Sequence, residues 1–217
     1  ELLDSGAAPA FSPLVLLKTG VGEPLYIVHG IGGTVIELIK LGQLIDTSRP
    51  VYAIQAKGID GDAEPDRTVA DMVEHYLEHV RARQPAGPYY LAGYSFGGLI
   101  AMDMARHLQA EGDTVALLCV IDSYAHPQTF PSLARHLIRF GTVFHAFRTE
   151  PFADACRLVI ARLKKRGAAL PAAMVLADDA EDGAAGTLRE VHRAAFAALD
   201  AYRPRPYTGD VLFIRPN

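Results

Sequence analysis

Apolar runs too short for helices, and without the polar alternation of a half-exposed sheet, recur along this chain with segments of helical periodicity between them. Leu14-Val15-Leu16-Leu17, Leu25-Tyr26-Ile27-Val28, Val51-Tyr52-Ala53-Ile54, Tyr89 to Ala92, Val115 to Ile121 and Asp210 to Ile214 are the strand candidates. Strands apolar on both faces and separated by helices belong to parallel sheets, where right-handed crossovers lay the helices on the faces. The expected class is therefore α/β, with a mostly parallel central sheet and helices on both faces.

The helical segments carry their own signals. One starts at about Thr34. From Thr68 to Arg83, Val69, Met72, Val73, Tyr76, Leu77 and Val80 recur at helical spacing and leave Glu74, Glu78, Arg81 and Arg83 for solvent. A third helix runs from Phe96 to Gly112, a glycine suited to a C-cap. After Asp122 the pattern changes. Pro127 to about Tyr202 holds only helical stretches, around Leu133 to Phe147, Phe152 to Lys165 and Leu188 to Tyr202, with an Ala/Asp-rich loop at Ala177 to Gly186. So long an insertion between two strands exceeds a crossover and predicts a helical lid. The expected organisation is a linker over 1–13 and one domain over 14–217, with a core of 14–126 and 203–217 and a lid of about 127–202.

Charge and cysteine usage narrow the function classes. With 21 Lys plus Arg against 25 Asp plus Glu, the chain presents no basic footprint for nucleic acid or an anionic membrane. The longest apolar run, Val115 to Ile121, is far short of the roughly 20 residues that span a bilayer, and the acidic start does not resemble a secretory signal. Cys119 and Cys156 have neither disulfide-framework nor metal-ligand spacing. A cytoplasmic protein acting on proteins and small molecules is expected, with no metal and no nucleic-acid or membrane partner.

The chemistry concentrates around Gly93-Tyr94-Ser95-Phe96-Gly97, a G-x-S-x-G run between a strand and a helix. So sharp a turn lifts the serine hydroxyl above the sheet, and glycines two positions away on each side avoid collision. Ser95 is the candidate nucleophile. An attacked carbonyl develops an oxyanion that needs fixed N–H donors, one from the residue after the nucleophile and one from an early loop after a strand. Phe96 and Ile31, the latter within His29-Gly30-Ile31-Gly32-Gly33, are those candidates. His29 precedes the serine and fits a loop brace better than a base, since triads of this kind run Ser, acid, His. Asp122 ends the buried strand Leu117 to Ile121, at the edge where parallel-sheet sites gather, and is the candidate acid.

The run from Gly87 through Ser95 to Gly98, with Ala105-Arg-His-Leu, Val120-Ile-Asp122-Ser-Tyr, and upstream Leu25 to Gly30 and Val51 to Gln55, resembles the type I thioesterase domains that end nonribosomal peptide and polyketide synthases, members of the α/β-hydrolase superfamily. The resemblance covers most of the chain outside the lid. It implies that Ser95 takes an acyl or peptidyl chain from the phosphopantetheine thiol of an acyl or peptidyl carrier protein, then passes it to water or to an internal nucleophile. It also implies Asp122 as the acid, the Ile31 and Phe96 amides as the oxyanion hole, and no cofactor bound by the domain itself. The family's histidine lies after the final strand, and none of the eight histidines is there; His126, His136, His145 and His192 all precede it. The expectation is that the C-terminal part is truncated, that the base lies beyond Asn217, and that the 217-residue chain is nearly inactive without it.

Within the insertion, Phe130, Leu133, Leu137, Phe140, Val143, Phe144, Phe147 and Phe152 either form a small core or line a substrate channel. Arg162, Lys164, Lys165 and Arg166 form a solvated helix face or meet an acidic carrier. Three other functions share the motifs: a stand-alone type II editing thioesterase, a general carboxylesterase, and a non-catalytic hydrolase-fold binding module.

Overall fold

The computed structural model describes residues 11–123 and 184–215. Among the described residues, six strands and four helices follow one another as β1 (Leu14–Lys18), β2 (Leu25–Val28), α1 (Ile36–Leu44), β3 (Val51–Ile54), α2 (Val69–Arg83), β4 (Tyr89–Tyr94), α3 (Phe96–Ala110), β5 (Val115–Ile121), α4 (Ala184–Ala201) and β6 (Leu212–Ile214). The sheet order is β1-β3-β2-β4-β5-β6. Among these described strands only β1 runs antiparallel to its neighbour, β3; the other pairs are parallel.

Strand alternation sorts the core into two layers. Tyr26, Val28, Ile54, Tyr89 and Leu91 point to the face covered by the buried stripes of α2 and α3 and by Ala195 and Ala198 of α4. Leu25, Ile27, Val51 and Ala53 point to the other face, against Val35 and Leu38 at α1. All four residues of β2 are buried, which is why that strand carries no charged side chain.

The caps explain where the helices begin and end. Thr68 is extended, and its hydroxyl accepts the Asp71 N–H at 3.1 Å, opening α2. All six residues expected to face inward on α2 are buried. At the end of α3, Gly112 takes φ +90°; its N–H bonds Gln109 O at 3.1 Å while the Asp113 N–H bonds Leu108 O at 2.9 Å. That pair of bonds is a Schellman cap, and its left-handed residue is why glycine stands there.

Three boundaries differ from the sequence expectation. The helix read as the last part of the lid, Leu188 to Tyr202, belongs with the sheet. Glu1–Tyr124 and Ala180–Asn217 form one compact unit and Ala125–Asp179 a second, and Val191, Ala194, Ala195 and Ala198 are buried. Small residues on one stripe let α4 sit close to its neighbours, a pattern that periodicity alone does not distinguish from a lid helix. The same helix starts at Ala184, inside the stretch read as a loop to Gly186. The linker reading over 1–13 also runs too far: the Gln55 N–H donates to Pro13 O at 2.8 Å and the Gln55 side chain to Ser12 O at 3.1 Å. The aromatic residues from Phe130 to Phe152 and the cluster from Arg162 to Arg166 lie outside the described residues.

Candidate active site

β4 and β5 are neighbours in register, Tyr94 opposite Ile121, so Ser95 and Asp122 step off adjacent strands at the same edge of the sheet. Both leave in the left-hand half of backbone space, Ser95 at φ +53° and Asp122 at φ +47°, and they are the only described non-glycine residues to do so. Such backbone costs on the order of 1–3 kcal/mol per residue and persists only where the surroundings hold it. Here they do. The Ser95 N–H donates to Ile121 O at 2.8 Å, the Gly98 N–H returns to Ser95 O at 3.0 Å, and the Asp122 N–H donates to Ile214 O at 2.8 Å. Both side chains stay partly exposed while Phe96 and Ser123 beside them are buried.

The flanking glycines are contact points. A Cβ on Gly93 would collide with the Gly97 carbonyl, and one on Gly97 would collide with His29 O and lie 2.5 Å from Val28 O. The start of α3 is thereby pressed against the end of β2, which brings the turn at 29–33 beside Ser95. Gly97→Ala should destabilise the protein by about 4 kcal/mol or more, because backbone rather than a movable side chain blocks the methyl. Urea unfolding checks this; a change under about 1 kcal/mol would mean that the helix and strand separate freely.

The 29–33 turn is fixed from several sides. The Gly33 N–H donates to Gly30 O at 3.1 Å, and the Ala56 N–H to Gly33 O at 2.8 Å. Gly33 has φ +76° with Val191 of α4 against it, and a Cβ on Gly30 would lie 2.5 Å from Glu37 Oε1 and 3.1 Å from the Tyr94 ring. Ile31 is partly buried, packed against the core, and its amide lies at the second position of the turn. The Phe96 amide occupies the first turn of α3, where N–H groups lack intrahelical acceptors.

His29 is fully buried, with Nδ1 on the Gly30 carbonyl and Nε2 2.7 Å from the Tyr76 hydroxyl. Burial pushes its pKa down to about 4, against a smaller upward pull from the Gly30 bond, so the ring is neutral. The loop-brace reading matches this environment. His75 is hydrogen-bonded to Asp66, His79 to His75 O and His107 to Asp103 O, while the His192 ring lies against Phe196. Among the described residues no histidine is hydrogen-bonded to Ser95; His126, His136 and His145 lie outside them. Two participants were not foreseen as such. Tyr76 was legible as a buried position on α2, but nothing in its spacing linked it to a loop 47 residues upstream; Glu37, seven residues after Gly30, carried only the signature of a first-turn acid of α1.

Comparison with known proteins gives the family and the fold. The family model for the thioesterase domain matches residues 23–150. A dimodular nonribosomal peptide synthase of Bacillus subtilis (strain 168) is 30% identical over 225 residues, covering 99% of this chain; the chain spans 9% of that relative's length. Among solved structures, the NocB thioesterase domain in covalent complex with a fluorophosphonate nocardicin G analogue superposes with a TM-score of 0.59 at 26% identity, covering 91% of this chain and 75% of that one. YbtT, a type II thioesterase from the yersiniabactin pathway, shares the fold with a TM-score of 0.60 at 17% identity, covering 94% of this chain and 78% of that one. No helix among the described residues is long and apolar enough to cross a membrane. With an α/β-hydrolase sheet, a serine at the strand-to-helix elbow and a family match over more than half its length, the chain belongs to the thioesterase domain family.

Proposed function

We propose that this domain releases an acyl or peptidyl chain from the phosphopantetheine of a carrier protein through an ester on Ser95. The observation that carries the reading is the paired departure of Ser95 and Asp122 from adjacent parallel strands, beside a braced turn that holds the Ile31 amide. Ser95 Oγ attacks the thioester carbonyl, and its proton passes to a histidine other than the five placed here. The oxyanion is held by the Phe96 and Ile31 N–H groups. The C–S bond then breaks, and the pantetheine thiolate takes the proton from the imidazolium. Water or a nucleophile within the chain attacks the acyl-Ser95, giving hydrolysis or macrocyclisation. Asp122 orients the histidine and stabilises its charged form. The domain binds no cofactor of its own, since the pantetheine arrives on the carrier.

The assembly-line setting rests on the Bacillus subtilis relative, a multidomain synthase that matches this chain nearly end to end. That relationship favours a fused, chain-releasing domain over a stand-alone editing enzyme. The test is turnover of carrier-bound acyl thioester against short free esters by the natural full-length protein. A higher kcat/KM on the carrier-bound substrate is expected, together with a single fluorophosphonate adduct per chain. Equal turnover of short esters would make the protein a general esterase. Absence of both adduct and turnover would make it a binding module.

A further inference from the structure

Gly30 is held at both of its backbone polar groups. Its N–H donates to Glu37 Oε1 at 3.3 Å, and its carbonyl accepts from the Gly33 N–H at 3.1 Å and from the His29 ring. Both lone pairs of that oxygen are thereby used. A carbonyl only accepts, so His29 Nδ1 carries the hydrogen. In the neutral ring Nε2 is then an acceptor, and the Tyr76 O–H, 2.7 Å away, is its donor. Burial keeps the Tyr76 phenol protonated, well above its ordinary value, and the Asp66 carboxylate adds to this. The polarity of the chain is therefore fixed from one end to the other: Tyr76 O–H to His29, His29 N–H to Gly30 O.

The direction of one amide follows. The Gly30–Ile31 peptide is trans, so its C=O and N–H point opposite ways. A carbonyl tied to the His29 ring and across the turn to Gly33 leaves the Ile31 N–H on the other side of the loop. Flipping this peptide would leave the buried Nδ1–H without an acceptor, a cost of about 1–3 kcal/mol. A small cavity lined by His29, Tyr76, Asp66, Met72, Val191 and Ala195 lies beside the ring, whose two nitrogens are held by the Gly30 carbonyl and the Tyr76 hydroxyl.

We infer that Tyr76 is a positioning residue for the oxyanion hole, its hydroxyl fixing the His29 ring and, through it, the orientation of the Gly30–Ile31 peptide that presents the Ile31 N–H. This rests on the reading of Ile31 as an oxyanion donor. Tyr76 is fully buried on α2 and acts without touching the substrate.

Tyr76→Phe removes only the hydroxyl. In the natural full-length protein, kcat for thioester hydrolysis per fluorophosphonate-titratable site should fall about tenfold with KM within about twofold, because an oxyanion donor contributes mainly in the transition state. Met72→Leu, which alters the same cavity without a hydrogen bond, should leave kcat per site unchanged. Normalising to titratable sites removes any loss from misfolding. An unchanged kcat per site in Tyr76→Phe, with wild-type Ser95 labelled normally, would overturn the inference alone. An equal fall in Met72→Leu would also overturn it, assigning the effect to packing. Failure of Ser95 to label in the wild type would overturn the proposed function, and this inference with it.

Discussion

Ser95→Ala is expected to lower the rate of thioester cleavage by on the order of a million-fold and to abolish the fluorophosphonate adduct. The backbone argument makes the variant informative. Ser95 sits at φ +53° and ψ −117°, and its side chain makes no capping bond to α3. Alanine has the same Cβ and the same backbone strain, so the elbow, the Ser95 N–H bond to Ile121 O and the start of the helix remain. The lost hydroxyl is then the only chemical difference. Single-turnover release of an acyl group from a carrier thioester is the measurement. A residual rate within about tenfold of the wild type would assign the nucleophile to another residue, since the oxyanion hole and binding alone supply only about 10³–10⁴ over water.

Asp122→Asn should reduce kcat by about 10⁴-fold while leaving stability nearly unchanged. Asparagine and aspartate are the non-glycine residues that best tolerate positive φ, so the φ of +47° and the 2.8 Å bond from the Asp122 N–H to Ile214 O are retained. What is removed is the carboxylate that, in the proposed mechanism, stabilises the imidazolium. Asp122→Ala would mix that loss with backbone strain and is the less informative variant. Thermal unfolding and kcat measured on the same preparation separate the two effects. A fully active Asn variant would mean that the acid is supplied from elsewhere in the fold.

The sheet was legible because parallel strands buried on both faces write continuous apolar runs, and β2 and β4 show this most clearly. The inner stripe of α2 and the glycine cap of α3 were legible for the same kind of local reason. The serine elbow was legible because its steric demand falls on residues two positions away, Gly93 and Gly97. The antiparallel pairing of β1 was not, since a short apolar strand carries no mark of its direction. Nor was the placement of α4, whose alanine stripe suits a lid as well as a core until its neighbours are known.

The residues of this chain thus determined, by themselves, which segments become strands and helices and which tight turns only glycine permits, because those are set by contacts within a few residues. Tertiary structure decided the rest of the site. It set Ser95 next to Asp122 through the pairing of β4 with β5. It also joined His29 to Tyr76, 47 residues downstream. The physical reason is that a hydrogen bond from a buried hydroxyl leaves no periodic trace in a sequence. Burial of Tyr76 is written in the spacing of α2, whereas the partner its hydroxyl finds is settled only when α2 packs against the sheet.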